Sequence, residues 1–220
     1  MLVIGPSGSG KTTWVIQLLK HIGQIAEKPP KRIIFYYNVY QDAYDELRGI
    51  VHEFREGLPS DADIKALKDD APSLVIIDDQ MHHVNAELVQ IFTGSSRVSG
   101  CSLVFMAQSM FLQDARFRVI SRQATYMVIM KNPRDNLAIR SLGQQIYPQK
   151  PALIARIYAD ATSKPYSYLF VDLHQQTDSA LRLTTNILPN EWPITVYPLP
   201  AEQGEEKHNE WYDTESILGK

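Results

Sequence analysis

The 220 residues, 44% hydrophobic and 21% charged, suit one α/β domain with a short appendage and enough core to fold without disulfides. A single cysteine excludes a disulfide framework and a zinc-ligand spacing, so Cys101 reads as a core thiol in a reducing compartment. No apolar run reaches the roughly 18 residues of a membrane span, and the opening Met1-Leu2-Val3-Ile4 has none of the features of a signal peptide.

The net charge of −3 is unevenly spread. Residues 1–96 carry 9 basic and 13 acidic side chains, residues 97–156 carry 9 and 2, and residues 157–220 carry 4 and 10. A basic middle third between acidic flanks suits a polyanion-binding surface or an oligomer interface rich in arginine.

Along the chain, Leu2–Ile4 reads as a strand and Lys11–Ile25 as a helix with Trp14, Leu18, Ile22 and Ile25 on one face. Pro29-Pro30 breaks the chain before a β-branched and aromatic strand, Arg32–Tyr37. Ala43–Phe54 is expected to be helical and Leu58–Asp70 a polar loop. Leu74–Ile77 is a continuous apolar run, as in a strand buried on both faces of a parallel sheet. Asn85–Phe92 reads as helix, Leu103–Ala107 and Ala124–Met130 as further buried strands, and Arg134–Gln144 as helix. Tyr166–Leu173 and Ala180–Ile187 are expected to pair as a terminal hairpin. Strands alternating with helices predict an α/β fold with a mostly parallel sheet between helical layers over residues 1–188. Residues 189–220, rich in proline and acid, are expected to form an extended or disordered tail.

One stretch carries the chemistry. Gly5-Pro6-Ser7-Gly8-Ser9-Gly10-Lys11-Thr12, continued by Thr13, matches G-x-x-x-x-G-K-[ST] at every fixed position, between a strand and an amphipathic helix. Gly8 and Gly10 let the backbone aim successive N–H groups at phosphate oxygens, and the helix adds the positive end of its dipole. Lys11 then reaches the β- and γ-phosphates of ATP, and Thr12 offers its hydroxyl to Mg²⁺.

The second half of such a site is an acid ending a buried strand. Asp78 after Leu74–Ile77 is the expected Mg²⁺ ligand, through water, and Asp79 the group that orients or deprotonates the attacking water. Many ATPases place the longer Glu at that second position. Gln108 ends the neighbouring strand, where an amide can sense the γ-phosphate. His82 and His83 read as loop residues.

Taken together, the motifs are the glycine loop, Val75-Ile76-Ile77-Asp78-Asp79, Gly94-Ser95-Ser96-Arg97, the run Leu103–Phe111 through Gln108, Lys131-Asn132-Pro133-Arg134-Asp135, Tyr168–Leu173 and Leu181–Ile187. This series resembles the genome-packaging ATPases of the FtsK/HerA superfamily, above all those of double-jelly-roll DNA viruses and their polinton and adintovirus relatives, and it is related to the poxvirus packaging ATPase. The resemblance implies a P-loop NTPase fold of the RecA/ASCE type over residues 1–188, and a homo-oligomeric ring that pumps double-stranded DNA into a preformed capsid. Capsid or portal-vertex proteins would be its partners, in the host cytoplasm or nucleus or with the virion. It also implies an arginine acting in trans on the neighbour's ATP. Arg97 holds the matching position, with Arg116, Arg118, Arg122 and Arg134 as rivals. Lys131, Arg134, Arg140 and Lys150 are the basic residues available for sequence-independent phosphate contacts with DNA. Members of that family usually carry a short lead-in strand before the glycine loop, and here the sequence begins four residues ahead of it, so either the gene model is abbreviated or the adenine pocket is built from elsewhere. Alternatives are another DNA pump or helicase of the same superfamily, or a small-molecule P-loop kinase.

Overall fold

The computed structural model describes residues 1–80, 83–110, 114–134, 136–191 and 193–199. His82, Phe111, Asp135 and the tail from residue 200 lie outside the described residues.

Among the described residues, nine strands form one sheet. They are β1 (Leu2–Ile4), β2 (Arg32–Tyr37), β3 (Glu53–Glu56), β4 (Ser73–Ile77), β5 (Cys101–Ala107), β6 (Tyr126–Met130), β7 (Tyr168–Asp172), β8 (Leu183–Thr185) and β9 (Thr195–Val196). Their order is β3-β2-β4-β5-β1-β6-β7-β8-β9. The first six are parallel, and β7 to β9 continue the sheet antiparallel. The central strands are short and apolar because both faces are covered, so no polar alternation survives in them. Alternate residues still separate cleanly. Leu2, Ile4, Val75 and Ile77 enter one core, and Val3, Leu74 and Ile76 enter the other.

Helix α1 (Lys11–Lys20) covers the second face through Trp14, Val15, Leu18 and Leu19. The first face takes α3 (Asp61–Ala66), α4 (Ala86–Gln90), α6 (Ala115–Arg122), α7 (Asn136–Ile146) and α8 (Pro151–Ala161), each of which contributes buried side chains there. The short α2 (Ile22–Ile25) follows α1, and α5 (Ser96–Val98) continues from α4 through a π-helical turn, Ile91–Ser95.

The predicted strands are all present, and the terminal hairpin is β7–β8. Several other expectations change. The helix predicted to Ile25 stops at Lys20, with a break at His21, and Ile25 is exposed. Ala43–Phe54 is no single helix. It is a 3₁₀ turn, Asp42–Leu47, a left-handed Gly49 (φ 88°) and the edge strand β3. Gly49 ends the helical spacing of Tyr44 and Leu47, because only glycine enters that region freely.

Within the expected loop 58–70, α3 is started by a capping box. The Ser60 hydroxyl accepts from the Asp63 backbone N–H, and the Asp63 side chain accepts from the Ser60 N–H. Helices α6 and α8 fall where no element was expected, although Pro151 at the first position of α8 is a start signal. Order also continues past residue 188: β9 pairs with β8, and Tyr168 donates to Glu191 at 2.5 Å.

Candidate active site

The nucleotide edge of the sheet is the end where the parallel strands finish. There β1 enters the loop of residues 5–10, pinned at its start by the Gly5 N–H bond to the Ala107 carbonyl at the end of β5 (3.1 Å). Gly8 (φ 75°) and Gly10 (φ 97°) are both left-handed, so the backbone reverses and leads directly into α1. No acidic side chain occupies the first turn of α1, and its leading N–H groups have no side-chain cap. That helix end is left available to an anion.

A cleft of about 540 Å³ opens over the loop, lined by Ser7, Gly8, Gly10, Lys11, Thr12 and Thr13 on one side and by Asp78, Asp79, Met106 and Gln108 on the other, with Gln41 and Tyr166 at its margins. Of the predicted binding residues, Gly5, Pro6 and Ser9 do not line the cleft. A Cβ on Gly5 would lie 2.6 Å from both Met130 Cβ and Ser9 Oγ, so this position is held small by packing.

Lys11 Nζ donates to the loop's own Gly5 and Pro6 carbonyls, at 2.7 and 3.0 Å. Burial lowers its pKa, and the charges of Asp78 and Asp79 act against that shift. Asp78 is 3% exposed, and its pKa is raised, first by burial and then by Asp79, against the effect of the hydrogen bond from Tyr44 and the charge of Lys11. The Tyr44 hydroxyl donates to Asp78 Oδ2 at 2.6 Å, and burial and Asp78 together push that phenol far above its usual range. Nothing in the spacing of the sequence joins these two residues. The register of β2 beside β4 brings them together.

Asp79 is exposed in the cleft, with a positive φ of 52°. Gln108 Nε2 donates to Asp79 Oδ1 at 2.7 Å. Strand order explains this contact: β5 lies between β4 and β1, so Gln108 stands between the acidic pair and the glycine loop. A non-glycine residue in the left-handed region is uncommon and is often found at functional sites. Here it turns Asp79 out of the strand direction that buries Asp78.

Thr12 and Asp78 offer hard oxygen donors to the same cleft, and a cation would offset the cost of keeping the buried Asp78 carboxylate charged, so the residues fit Mg²⁺. Among the described residues no three His, Cys, Asp or Glu side chains cluster as a metal cage. An ion held here would therefore take most of its ligands from phosphate and water, the usual state of Mg²⁺.

Arg97 lies on α5, where its Nη2 donates to Gln123 Oε1 at 3.2 Å. Both residues precede strands, so they occupy the edge of the sheet opposite the glycine loop. The seven residues of β5 alone, at ~3.3 Å each, keep Arg97 well away from its own chain's phosphates. Arg116 Nη1 instead reaches the Val84 carbonyl at 3.4 Å, and Arg122 lies with Arg97 in a polar cleft that includes His174 and Gln176.

Lys131 and Arg140 line a cleft of about 460 Å³ between the end of β6 and the α7–α8 pair, where Lys131 Nζ donates to the Ser163 carbonyl at 3.0 Å. Arg134 is exposed nearby in sequence, whereas Lys150 stands before α8, at the far end of that helix from Ser163. Of the four basic residues expected to contact DNA, Lys131 and Arg140 share this cleft.

No family model and no curated protein matches the sequence. Among solved structures, the chain is similar to the genome packaging NTPase B204 of Sulfolobus turreted icosahedral virus 2, in complex with ATPγS, at 16% identity and a TM-score of 0.52 over 90% of this chain and 97% of that one. It also aligns with the cytoplasmic domain of the type VII secretion ATPase EccC of Thermomonospora curvata at 14% identity, over 91% of this chain and 24% of that one, with a TM-score of 0.43. EssC (ATPases 2 and 3) of Geobacillus thermodenitrificans aligns at 13% identity over 61% and 34%, with a TM-score of 0.39. The B204 likeness runs nearly the full length of both chains, and with the sheet order and the glycine loop it establishes the fold as that of a P-loop NTPase.

Proposed function

We propose that this chain hydrolyses ATP and uses the energy to move double-stranded DNA into a viral capsid, as one subunit of a ring. The observation that carries the hydrolytic part is the placement of Asp79 and Gln108 at adjacent strand ends facing Lys11 and Thr12 across one cleft. Binding alone needs the loop. Hydrolysis also needs a group to receive a proton from water opposite the leaving phosphate, and the carboxylate of Asp79 in the same cleft is the group assigned to it in this reading.

In the reaction, the water oxygen bonds to the γ-phosphorus as the bond to the β–γ bridging oxygen breaks, giving ADP and inorganic phosphate. Asp79 takes the proton. Lys11 leaves the loop carbonyls for the phosphates and offsets their charge. Mg²⁺, when bound, supplies further neutralisation of the β- and γ-oxygens. Gln108 donates to Asp79, so movement of the amide toward a γ-phosphate would link occupancy of the site to the freedom of the base.

The DNA-packaging part is supported by the full-length likeness to B204, a genome packaging NTPase, and by the basic stretch of residues 97–156. A ring is supported by Arg97, which lies on α5 away from its own glycine loop and would need another copy's site to act as a finger. Such motors would work in the host cytoplasm or nucleus during assembly and engage capsid or portal-vertex proteins.

ATP turnover is measured with and without double-stranded DNA of unrelated sequences. The expected result is stimulation by DNA regardless of sequence, abolished in Lys11→Ala. Turnover that ignores DNA but rises with a small phosphate acceptor would establish the kinase alternative instead, and undiminished turnover in Lys11→Ala would remove the site assignment.

A further inference from the structure

The cleft has two ends, and the residues already described occupy one of them. Strand β1 carries the loop, with β5 on one side and β6 on the other. Asp78, Asp79 and Gln108 end β4 and β5, so a terminal phosphate and its attacking water belong on that side. A nucleotide has its phosphates at one end and its base at the other. A γ-phosphate directed at Asp79 therefore sends the ribose and base toward β6 and β7.

Tyr166 stands there. It belongs to the turn between α8 and β7, lines the same cleft as Lys11 and Thr13, and is 71% exposed. Its backbone is left-handed (φ 62°), a conformation unfavourable for a bulky aromatic residue. Its ring lies against the loop: a Cβ on Gly10 would be 3.3 Å from Tyr166 Cδ1. The position is built from below. Trp14, one turn into α1 from Gly10, packs edge-on against Tyr168 at 5.6 Å between ring centroids, which fixes the start of β7 beside α1. A strained, exposed aromatic so anchored gives the fold little buried area, and such residues cluster at ligand sites.

We propose that Tyr166 is the nucleobase platform, its ring stacking on the base of the bound nucleotide. The proposal rests on the reading of the glycine loop as a nucleoside-triphosphate site. It also assigns the base-binding group to the C-terminal third of the chain, far in sequence from the phosphate loop. Stacking uses the π-face that every base presents, so Tyr166 contributes equally to adenine and guanine nucleotides.

The test compares three probes, ADP, GDP and inorganic tripolyphosphate, by direct binding to the full chain. Tyr166→Asn removes the ring but tolerates the left-handed backbone. It is expected to weaken ADP and GDP about tenfold and leave tripolyphosphate unchanged, while Tyr166→Phe binds all three as the wild type does. In Tyr166→Trp, indole fluorescence should change with ADP and not with tripolyphosphate. Equal weakening of all three probes by Tyr166→Asn overturns the proposal, since the ring would then only shape the loop. No weakening of any probe overturns it as well. Lys11→Ala separates this from failure of the underlying reading: that variant should lose all three probes, and if it binds them normally the phosphate site itself is misassigned.

Discussion

Tyr44→Phe isolates one bond at the heart of the site. The ring sits in an aromatic cluster with Phe35 at 4.7 Å, Tyr40 at 5.4 Å and Phe54 at 6.4 Å between centroids, and phenylalanine preserves every one of those contacts. What disappears is the 2.6 Å hydrogen bond from the hydroxyl to Asp78 Oδ2. A buried hydrogen bond to a charged group contributes about 1.5–3 kcal/mol. For a domain of this size each kcal/mol moves the melting temperature by about 2–4 °C, so the variant should melt about 3–12 °C lower.

The loss should depend on the charge of its partner. In an Asp78→Asn background the acceptor is neutral, and removing the same hydroxyl should cost only about 1 kcal/mol. Urea unfolding of the wild type, both single variants and the double variant gives the coupling directly. An equal loss in both backgrounds, or a loss under about 0.5 kcal/mol in the wild type, would show that Tyr44 supports Asp78 by packing alone.

Other expected outcomes follow from the same geometry. Burial raises the Asp78 pKa above its ordinary 3.8, so its contribution to stability is fully present below that pH and is lost as pH rises through the higher folded value. Asp78→Asn should therefore gain stability relative to the wild type as pH rises from about 4; a difference that stays flat across urea titrations at several pH values contradicts the direction of the shift. Gly5→Ala must displace Met130 or Ser9, each 2.6 Å from the new Cβ, and should destabilise by about 1–3 kcal/mol in denaturant titrations; a wild-type midpoint means the loop relaxes freely. Mixing Arg97→Ala with Asp79→Ala subunits should restore turnover above that of either variant alone, because some interfaces then pair an intact arginine with an intact base. A mixture no more active than its parents removes the trans assignment.

The phosphate half of the site was legible because its chemistry is local. Gly5–Thr12 is one contiguous motif, and Asp78, Asp79 and Gln108 each follow an apolar run whose end can be read directly. Tyr44 and Tyr166 were not legible, since each reaches the cleft through tertiary placement. Tyr44 depends on β2 lying beside β4, and Tyr166 on β7 packing against α1 through Trp14 and Tyr168. The same limit explains β3. Glu53-Phe54-Arg55-Glu56 carries no apolar signature, because it is an edge strand held by ion pairs of Glu53 with Arg32 and Arg55 and of Arg55 with Asp63. Its sequence has no preference strong enough to outweigh the helical spacing of Tyr44 and Leu47 just before it. In contrast, the starts of α3 and α8 were written locally, in Ser60-x-x-Asp63 and Pro151.

The reversal of strand direction between β6 and β7 has an evolutionary consequence. An antiparallel neighbour delivers its incoming turn, rather than its outgoing one, to the edge where the parallel strands finish. Tyr166 thereby reaches the glycine loop from a part of the chain that carries none of the hydrolytic groups. With Tyr166 as the base platform, substitutions there would change how tightly the nucleoside is held while the machinery between Gly5 and Gln108 stays untouched.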